Sequence, residues 1–325
     1  MTSYRWHKSN FTSSARRAIG VALLLLPACA ADGRAQETPA KPAQSFATPE
    51  LAVEALVASV GSGADSVLGV LGPDADRIVT SGDPVADQAN RERFSNAYSE
   101  GHKLAQEADN RAILIIGKDE YPFPIPLVKD DIGWHFDTQA GEEEILNRRI
   151  GSNELLAIEA VRAYVDAQRE YASEDRDGHG PQYARRLLSQ DGKKDGLYWP
   201  ASGETDASPL GPLIADAQSE GYAATGASDT PRAFHGYLYR ILKSQGASAP
   251  GGAREYLVND RMIGGFALIA APAEYGNSGV MTFVVNSDGE VFEKDLGPET
   301  GKLASEISSF DPDDSWSIAA AGSAN

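Results

Sequence analysis

The chain carries one cysteine, Cys29, and it lies inside an N-terminal segment with the layout of an export signal. Residues 1–17 are polar and positive and end in Arg16-Arg17, and residues 18–28 form an uninterrupted apolar run. A run of that length suits the core of a signal peptide and is too short to span a bilayer. Small residues follow at Ala28-Cys29-Ala30-Ala31. Residues 1–30 are therefore read as a signal peptide, and the chain as exported to the periplasm or the cell envelope. Two processing routes stay open. Cutting after Ala30 satisfies the small-x-small rule, whereas Leu26-Pro27-Ala28-Cys29 has the form of a lipobox that would place a lipid anchor on Cys29. Either way no disulfide can form within the mature chain, so an exported fold must be held by its core alone.

The 325 residues are 42% hydrophobic, which suffices for a core in one large or two medium domains. The formal net charge is −18, and removing the four basic residues of the leader leaves 25 basic against 47 acidic residues, or −22. A surface of that sign repels nucleic acid, so no nucleic-acid partner is expected. No other apolar stretch is long enough to cross a membrane, so the mature chain has no expected transmembrane span.

Residues 31–45 are Pro/Ala-rich without periodicity and read as a disordered tether. Thr48-Pro49-Glu50 then opens a helix with a cap, a proline at the first helical position and an acid in the first turn. A second short helix is expected over 64–71, a polar helix over 85–106 and a buried strand over 112–117. Prolines 122, 124 and 126 place that stretch at a sheet edge. Leu127–Phe136 reads as a hairpin turning at Asp130-Asp131 and Gly133. A helical pattern starts near Gly141. Gly151-Ser152-Asn153-Glu154 is read as an interruption, with Ser152 capping a second helix that runs to about Ala172. The domain boundary is placed there. Residues 173–255 have little strand character. Three apolar segments, 262–270, 279–285 and 289–294, read as a β-meander, with Asn286-Ser287-Asp288-Gly289 as a hairpin turn. Residues 311–325 are expected to fray.

Candidate chemistry is sparse. Nothing among the histidines has metal-ligand spacing, no Gly-x-Ser-x-Gly elbow or phosphate loop is present, and Cys29 lies outside the fold. His135 stands between Trp134 and Phe136, so it projects from the opposite strand face. His179 lies between two glycines in an acidic loop, and His235 precedes Gly236-Tyr237. Asp175-x-Asp177-Gly178 fails as an EF-hand because Ala184 stands where the bidentate acid belongs, although a looser calcium site among Asp175, Asp177, Asp191 and Asp195 stays open. The most concentrated polar group is Asn147-Arg148-Arg149 with Asn153 and Glu154. Arg149 and Asn153 are four apart and share a face if the helix is continuous. Arginine forks suit carboxylates. Arg148, Arg149, Asn153, Glu154 and Trp134 are the candidate ligand-binding residues, weighed against an interdomain salt bridge. Tyr121, Phe123, Tyr198, Trp199 and Tyr275 could line a groove or simply pack. No catalytic residue, metal or cofactor is assigned.

Five stretches carry a resemblance across nearly the whole mature chain: Ser81–Asp87, Tyr121–Leu127, Asn147–Glu154, Phe234–Tyr237 and Gly279–Phe283. Together they resemble the DUF2950 family of exported bacterial proteins, a resemblance that implies no activity. Separately, Ala160–Ala172 followed by the later apolar segments is similar to the exposed half-helix and small sheet of a type IV pilin-like head. The helices and the Trp134-x-Phe136 strand before residue 140 are similar in pattern to a cystatin- or NTF2-like cone.

The expected fold is α+β, with two small domains at 46–150 and 151–310, each a helix packed on an antiparallel sheet. The expected function is a non-enzymatic envelope protein that binds or scaffolds an envelope partner. Two further readings are a cell-wall hydrolase using Asp or Glu with His135 or His179, and a small-ligand carrier that would show a concave apolar pocket in the first half.

Overall fold

The computed structural model describes residues 43–201, 203, 206–222 and 232–319. The signal peptide with Cys29, and the tether up to residue 42, lie outside them. The last tether residues are tied down rather than loose: the Gln44 N–H donates to the Val70 carbonyl, and Phe46 exchanges two backbone hydrogen bonds of 2.8 Å with Trp134.

Thr48 is extended and its hydroxyl accepts the Leu51 N–H, so α1 (Pro49–Val60) begins where the cap and proline place it. α2 (Ala64–Leu71), a 3-10 turn over Pro73–Ala75 and the short α3 (Asp76–Val79) follow. α4 (Pro84–Glu100) is capped by Asp83. The polar helix expected to reach residue 106 stops at Glu100, because Gly101 takes an extended backbone and the chain becomes a strand. β1 (His102–Ala108) is an edge strand with no fully buried residue, and that polarity made it look like more helix. It pairs antiparallel with β2 (Arg111–Ile116), which alternates half-buried and buried positions. β3 (Tyr121–Pro122) pairs with β2, and β4 (Leu127–Lys129) and β5 (Trp134–Phe136) form the expected hairpin. The Asp130 carboxylate closes its turn by accepting the N–H groups of Ile132 and Gly133 at 2.8 and 3.0 Å. Strand order is β1-β2-β4-β5 with β3 to one side. Val53, Leu56, Val67 and Leu71 from the first two helices meet Leu114, Leu127 and Phe136 in one core.

α5 (Thr138–Tyr171) is a single helix of 34 residues, about 50 Å long at 1.5 Å per residue. The interruption expected at 151–154 does not occur, and the boundary placed at 150/151 falls inside the helix. One exposed glycine costs about 1 kcal/mol in a helix interior. That is outweighed by the anchorage on either side. Before Gly151, Ile145 packs on the first core; after it, Ala157, Val161, Tyr164 and Val165 enter a second.

After α5 the chain is mostly irregular, with α6 (Gly211–Ser219) as its one helix among described residues up to β6 (Tyr237–Leu242). Short pairs follow: β7 (Ser244–Gln245) with β8 (Arg254–Glu255), and β9 (Leu257–Val258) with β10 (Arg261–Met262). β11 (Ala267–Pro272), β12 (Met281–Asn286) and β13 (Val291–Asp295) make the expected meander. The short α7 (Thr300–Glu306) then leads to β14 (Ser317–Ile318). The sheet is antiparallel throughout, in the order β14-β13-β12-β11-β6. All six residues of β11 are buried, as befits a central strand covered on both faces. The tail expected to fray from residue 311 instead adds β14 to the sheet edge, and the Ala319 N–H donates to Val291. The fold is α+β, and residues 40–325 form one compact unit with two hydrophobic cores.

Two glycines of α5 test this reading. A Cβ on Gly141 would lie 2.8 Å from Ile125 Cγ1 and 2.9 Å from the Pro124 carbonyl oxygen, whereas one on Gly151 would meet nothing within 4 Å. Gly141→Ala is expected to destabilise by about 1–3 kcal/mol through overpacking. Gly151→Ala is expected to stabilise by about 0.5–1 kcal/mol, because the helix is continuous there. Urea denaturation of both variants checks the signs, and a destabilising Gly151→Ala would mean that the helix breaks at 151.

Candidate functional site

α4 has 17 residues and buries only one of them, Asp87. Its few large apolar side chains, Val85, Phe94 and Tyr98, are half-buried. A helix so thinly packed leaves space beside it, and the structure shows that space as an open groove of about 920 Å³. The groove runs between α4, α5 and the first core. Leu56, Leu71, Ile78, Phe94, Phe123 and Ile145 supply apolar walls. Arg91, Arg93 and Arg148 also line it, with Glu92, and Glu220, Tyr222 and His235 line it from the loop preceding β6.

One side of the groove is a dense polar network. Asp83, 1% exposed, caps α4 with one carboxylate oxygen, accepting the Val85 and Ala86 N–H groups at 3.2 Å. Its other oxygen accepts the Tyr222 hydroxyl at 2.8 Å and the Gly236 N–H at 2.9 Å. One side chain thus holds the start of α4 and the chain entering β6. Asp87 accepts the Ser81 N–H at 3.0 Å and its hydroxyl at 2.6 Å. Burial raises the Asp87 pKa above the usual carboxylate range, opposed by the Ser81 bonds and by Arg149. The Tyr222 hydroxyl also accepts the His235 N–H at 3.2 Å. Burial raises its pKa, and donation to Asp83 adds to the effect.

His235 has a left-handed backbone with φ of 51°. Its Nε2 is 3.5 Å from a Glu220 carboxylate oxygen, and its ring lies against Phe234 and Tyr222. Burial lowers its pKa below the ordinary histidine value, and the nearby Glu220 carboxylate works the other way. Gly236 follows with φ of 74°, and a Cβ there would sit 2.5 Å from Asn153 Nδ2. Only glycine lets the backbone pass this close to α5.

The candidate residues on α5 divide into two groups. Arg149 turns inward. It donates to the Arg77 carbonyl at 2.6 Å, to Asn277 Oδ1 at 2.5 Å and to the Ile78 carbonyl. The first and third are late carbonyls of α3, which a helix end leaves without partners. Burial pulls the Arg149 pKa down, with Asp87 and Glu274 opposing it. Asn153 donates to the Ser278 carbonyl at 2.9 Å, and one Glu154 oxygen accepts the N–H groups of Val280 and Met281, each at 3.0 Å. These three side chains fasten α5 to α3 and to the loop entering β12. Arg148 points the other way, paired with Glu144 one turn back and lying 4.8 Å from the centre of the Tyr121 ring at the groove edge.

The other candidates lie elsewhere. Trp134 is buried in the first core and does not line the groove. His135 does project from the opposite strand face. Its Nδ1 is 3.7 Å from Asp130, has no hydrogen-bond partner among the described residues and lies away from the groove. His179 is an exposed loop residue. Asp175, Asp177, Asp191 and Asp195 do not gather: among the described residues no cluster of three His, Cys, Asp or Glu side chains could hold a metal ion. Asp175 and Asp177 instead accept backbone N–H groups of their own turn, and Asp195 accepts the Gln190 N–H. Of the aromatic set, Tyr121 and Phe123 line the groove, while Tyr198, Trp199 and Tyr275 do not. Asp83, Asp87, Arg91 and Tyr222 belong to the site without having been singled out in sequence. The signal for Asp83 was present, since Asp83-Pro84 is an N-cap followed by a first-turn proline.

A family model described as "Protein of unknown function (DUF2950)" matches residues 43–319. No curated protein and no solved structure matches the chain, so the likenesses to pilin heads and to cystatin- or NTF2-like cones rest on sequence pattern alone. No helix among the described residues is long and apolar enough to cross a membrane.

The pKa of His235 makes the network pH-sensitive. Its folded-state value is depressed, so the unfolded chain takes up the proton first as pH falls through about 6.5. Stability from the neutral imidazole is present above that pH and is lost as pH falls towards the folded-state value. His235→Asn keeps a residue type that tolerates left-handed backbone. Urea midpoints of the two proteins between pH 7.5 and 5 are expected to draw together or cross as pH falls, the wild type losing more. Parallel curves would show that His235 does not titrate differently on folding.

Proposed function

This chain belongs to the DUF2950 family of proteins of unknown function, and we propose that it is a non-enzymatic binding protein whose groove beside α4 takes a ligand. The observation that carries this reading is the unfilled apolar space beside a helix that buries one residue in 17. The groove is open to solvent and has a volume of about 920 Å³. It lies within the range of small-molecule sites, which pair mostly apolar walls with a few converging polar groups. Three buried or half-buried charged groups beside the groove also suit binding better than turnover. Asp83 and Asp87 accept hydrogen bonds that hold the backbone, and Arg149 is committed to carbonyls, so none of the three is free to act on a substrate.

The leader read at residues 1–30 supports a binding role outside the cytoplasm, either free or tethered through a lipid on Cys29. The acidic mature surface keeps such a protein soluble. Scaffolding of an envelope partner would use other faces of the molecule and does not account for the groove.

A neutral solvatochromic dye such as Nile red tests the reading. The mature protein is expected to bind it with a blue-shifted emission. Ala97→Trp fills the groove from α4, and it should weaken dye binding by about tenfold, or about 1.4 kcal/mol. Circular dichroism shows whether the variant is folded. A folded wild type that leaves the dye emission unchanged, or a folded Ala97→Trp variant that binds the dye as well as the wild type, would overturn the proposal.

A further inference from the structure

We propose that the groove takes a single-chain amphiphile with an anionic head group, its head held by Arg91 and its chain laid along the apolar walls. The inference rests on the binding reading above and deepens it. Arg91 is half-buried and lines the groove, yet it makes no hydrogen bond or ion pair with any described residue. A partly buried guanidinium without a partner is costly, and five donors in a planar fork suit a carboxylate or phosphate. Asp87, one turn back on the same face of α4, does not supply that partner. Its carboxylate accepts from Ser81 and faces Arg149.

The other charged side chains lining the groove each have a partner. Glu92 accepts from Gln88 at 2.9 Å, and Glu220 stands 3.5 Å from His235. Arg93 donates to Asn90, and Arg148 pairs with Glu144 beside Tyr121. Arg91 is thus the groove-lining charged side chain with neither a hydrogen bond nor an ion pair among the described residues. That single unpartnered guanidinium stands against a mature chain with net charge −22. On global charge alone the protein would favour a cationic amphiphile. A preference for an anionic one must come from the groove. The walls set the rest of the ligand. Leu56, Phe94, Phe123 and Ile145 offer no polar group, so the part of the ligand beyond its head is apolar.

The test is displacement of Nile red from the mature protein by three compounds sharing one chain: oleate, oleyl alcohol and oleylamine, each below its micelle concentration. Oleate is expected to displace the dye at about one-tenth of the alcohol's concentration or less, and the amine to be weakest. Arg91→Gln is expected to weaken oleate about tenfold and to leave oleyl alcohol unchanged, while Arg91→Lys keeps part of the preference. Equal displacement by oleate and the alcohol, or an oleate affinity indifferent to Arg91→Gln, overturns the anionic-head assignment and leaves the groove as a binding site. Absence of dye binding to the wild type overturns the underlying binding reading instead. A phosphate-headed chain of the same length that outcompetes oleate keeps the assignment and identifies phosphate as the preferred head.

Discussion

Arg149 and the two residues that follow it on the same stretch of α5, Asn153 and Glu154, hold the rest of the molecule in register. Each reaches backbone rather than another long side chain. Arg149 reaches the last carbonyls of α3, Asn153 reaches Ser278, and Glu154 reaches the N–H groups of Val280 and Met281. The charge-assisted bonds of Arg149 and Glu154 contribute about 1.5–3 kcal/mol each and the neutral Asn153 bond about 1 kcal/mol, and losing one leaves backbone groups without partners. They also fix geometry, because backbone groups cannot swing away as side chains can. With α5 locked to α3 on one side and to the β11–β12 loop on the other, the two cores have one relative placement.

The groove follows from that placement. α4 starts at Asp83, whose carboxylate is shared between the helix cap, Tyr222 and Gly236. The N-terminal end of α4 is therefore pinned, whereas the rest of the helix lies over the first core without burying its apolar residues. A pinned helix that does not collapse onto its neighbours keeps the gap open. The same arrangement gives the groove its two characters. Apolar walls come from the core beneath, and charge comes from the polar helix above and the exposed face of α5. Arg91 is the consequence of most interest, being carried on a polar helix into a half-buried position where no described residue hydrogen-bonds or ion-pairs with it.

Much of the local structure was legible because it depends on neighbours in sequence. Thr48-Pro49 marked the first helix, Asp130-Asp131-Ile132-Gly133 the hairpin, and Asn286–Gly289 the meander turn, each through a short-range bond that the structure contains. The failures came where long-range contacts overrode a local signal. Gly151-Ser152-Asn153-Glu154 reads as a break because glycine and a capping serine stand together, yet the helix runs through, since Asn153 and Glu154 find partners more than 120 residues away. The segment 102–108 reads as helix because an edge strand with no buried residue lacks the alternation that betrays a strand. The tail reads as loose because nothing local shows that β13 has a free edge.

The same division applies to function. Sequence alone determined the lone cysteine, the strongly acidic charge, the α+β content and the polar group at 147–154, because each is a matter of composition or of spacing within a few residues. Tertiary structure decided what those residues do. It turned Arg149 inward and Arg148 outward from adjacent positions, a difference of about 100° around one helix. It separated the four aspartates of the 175–195 loop, it brought Arg91, Tyr222 and His235 to one groove, and it joined Asp83 to Gly236 behind it. The packing of distant segments sets these outcomes, and no short-range pattern records it.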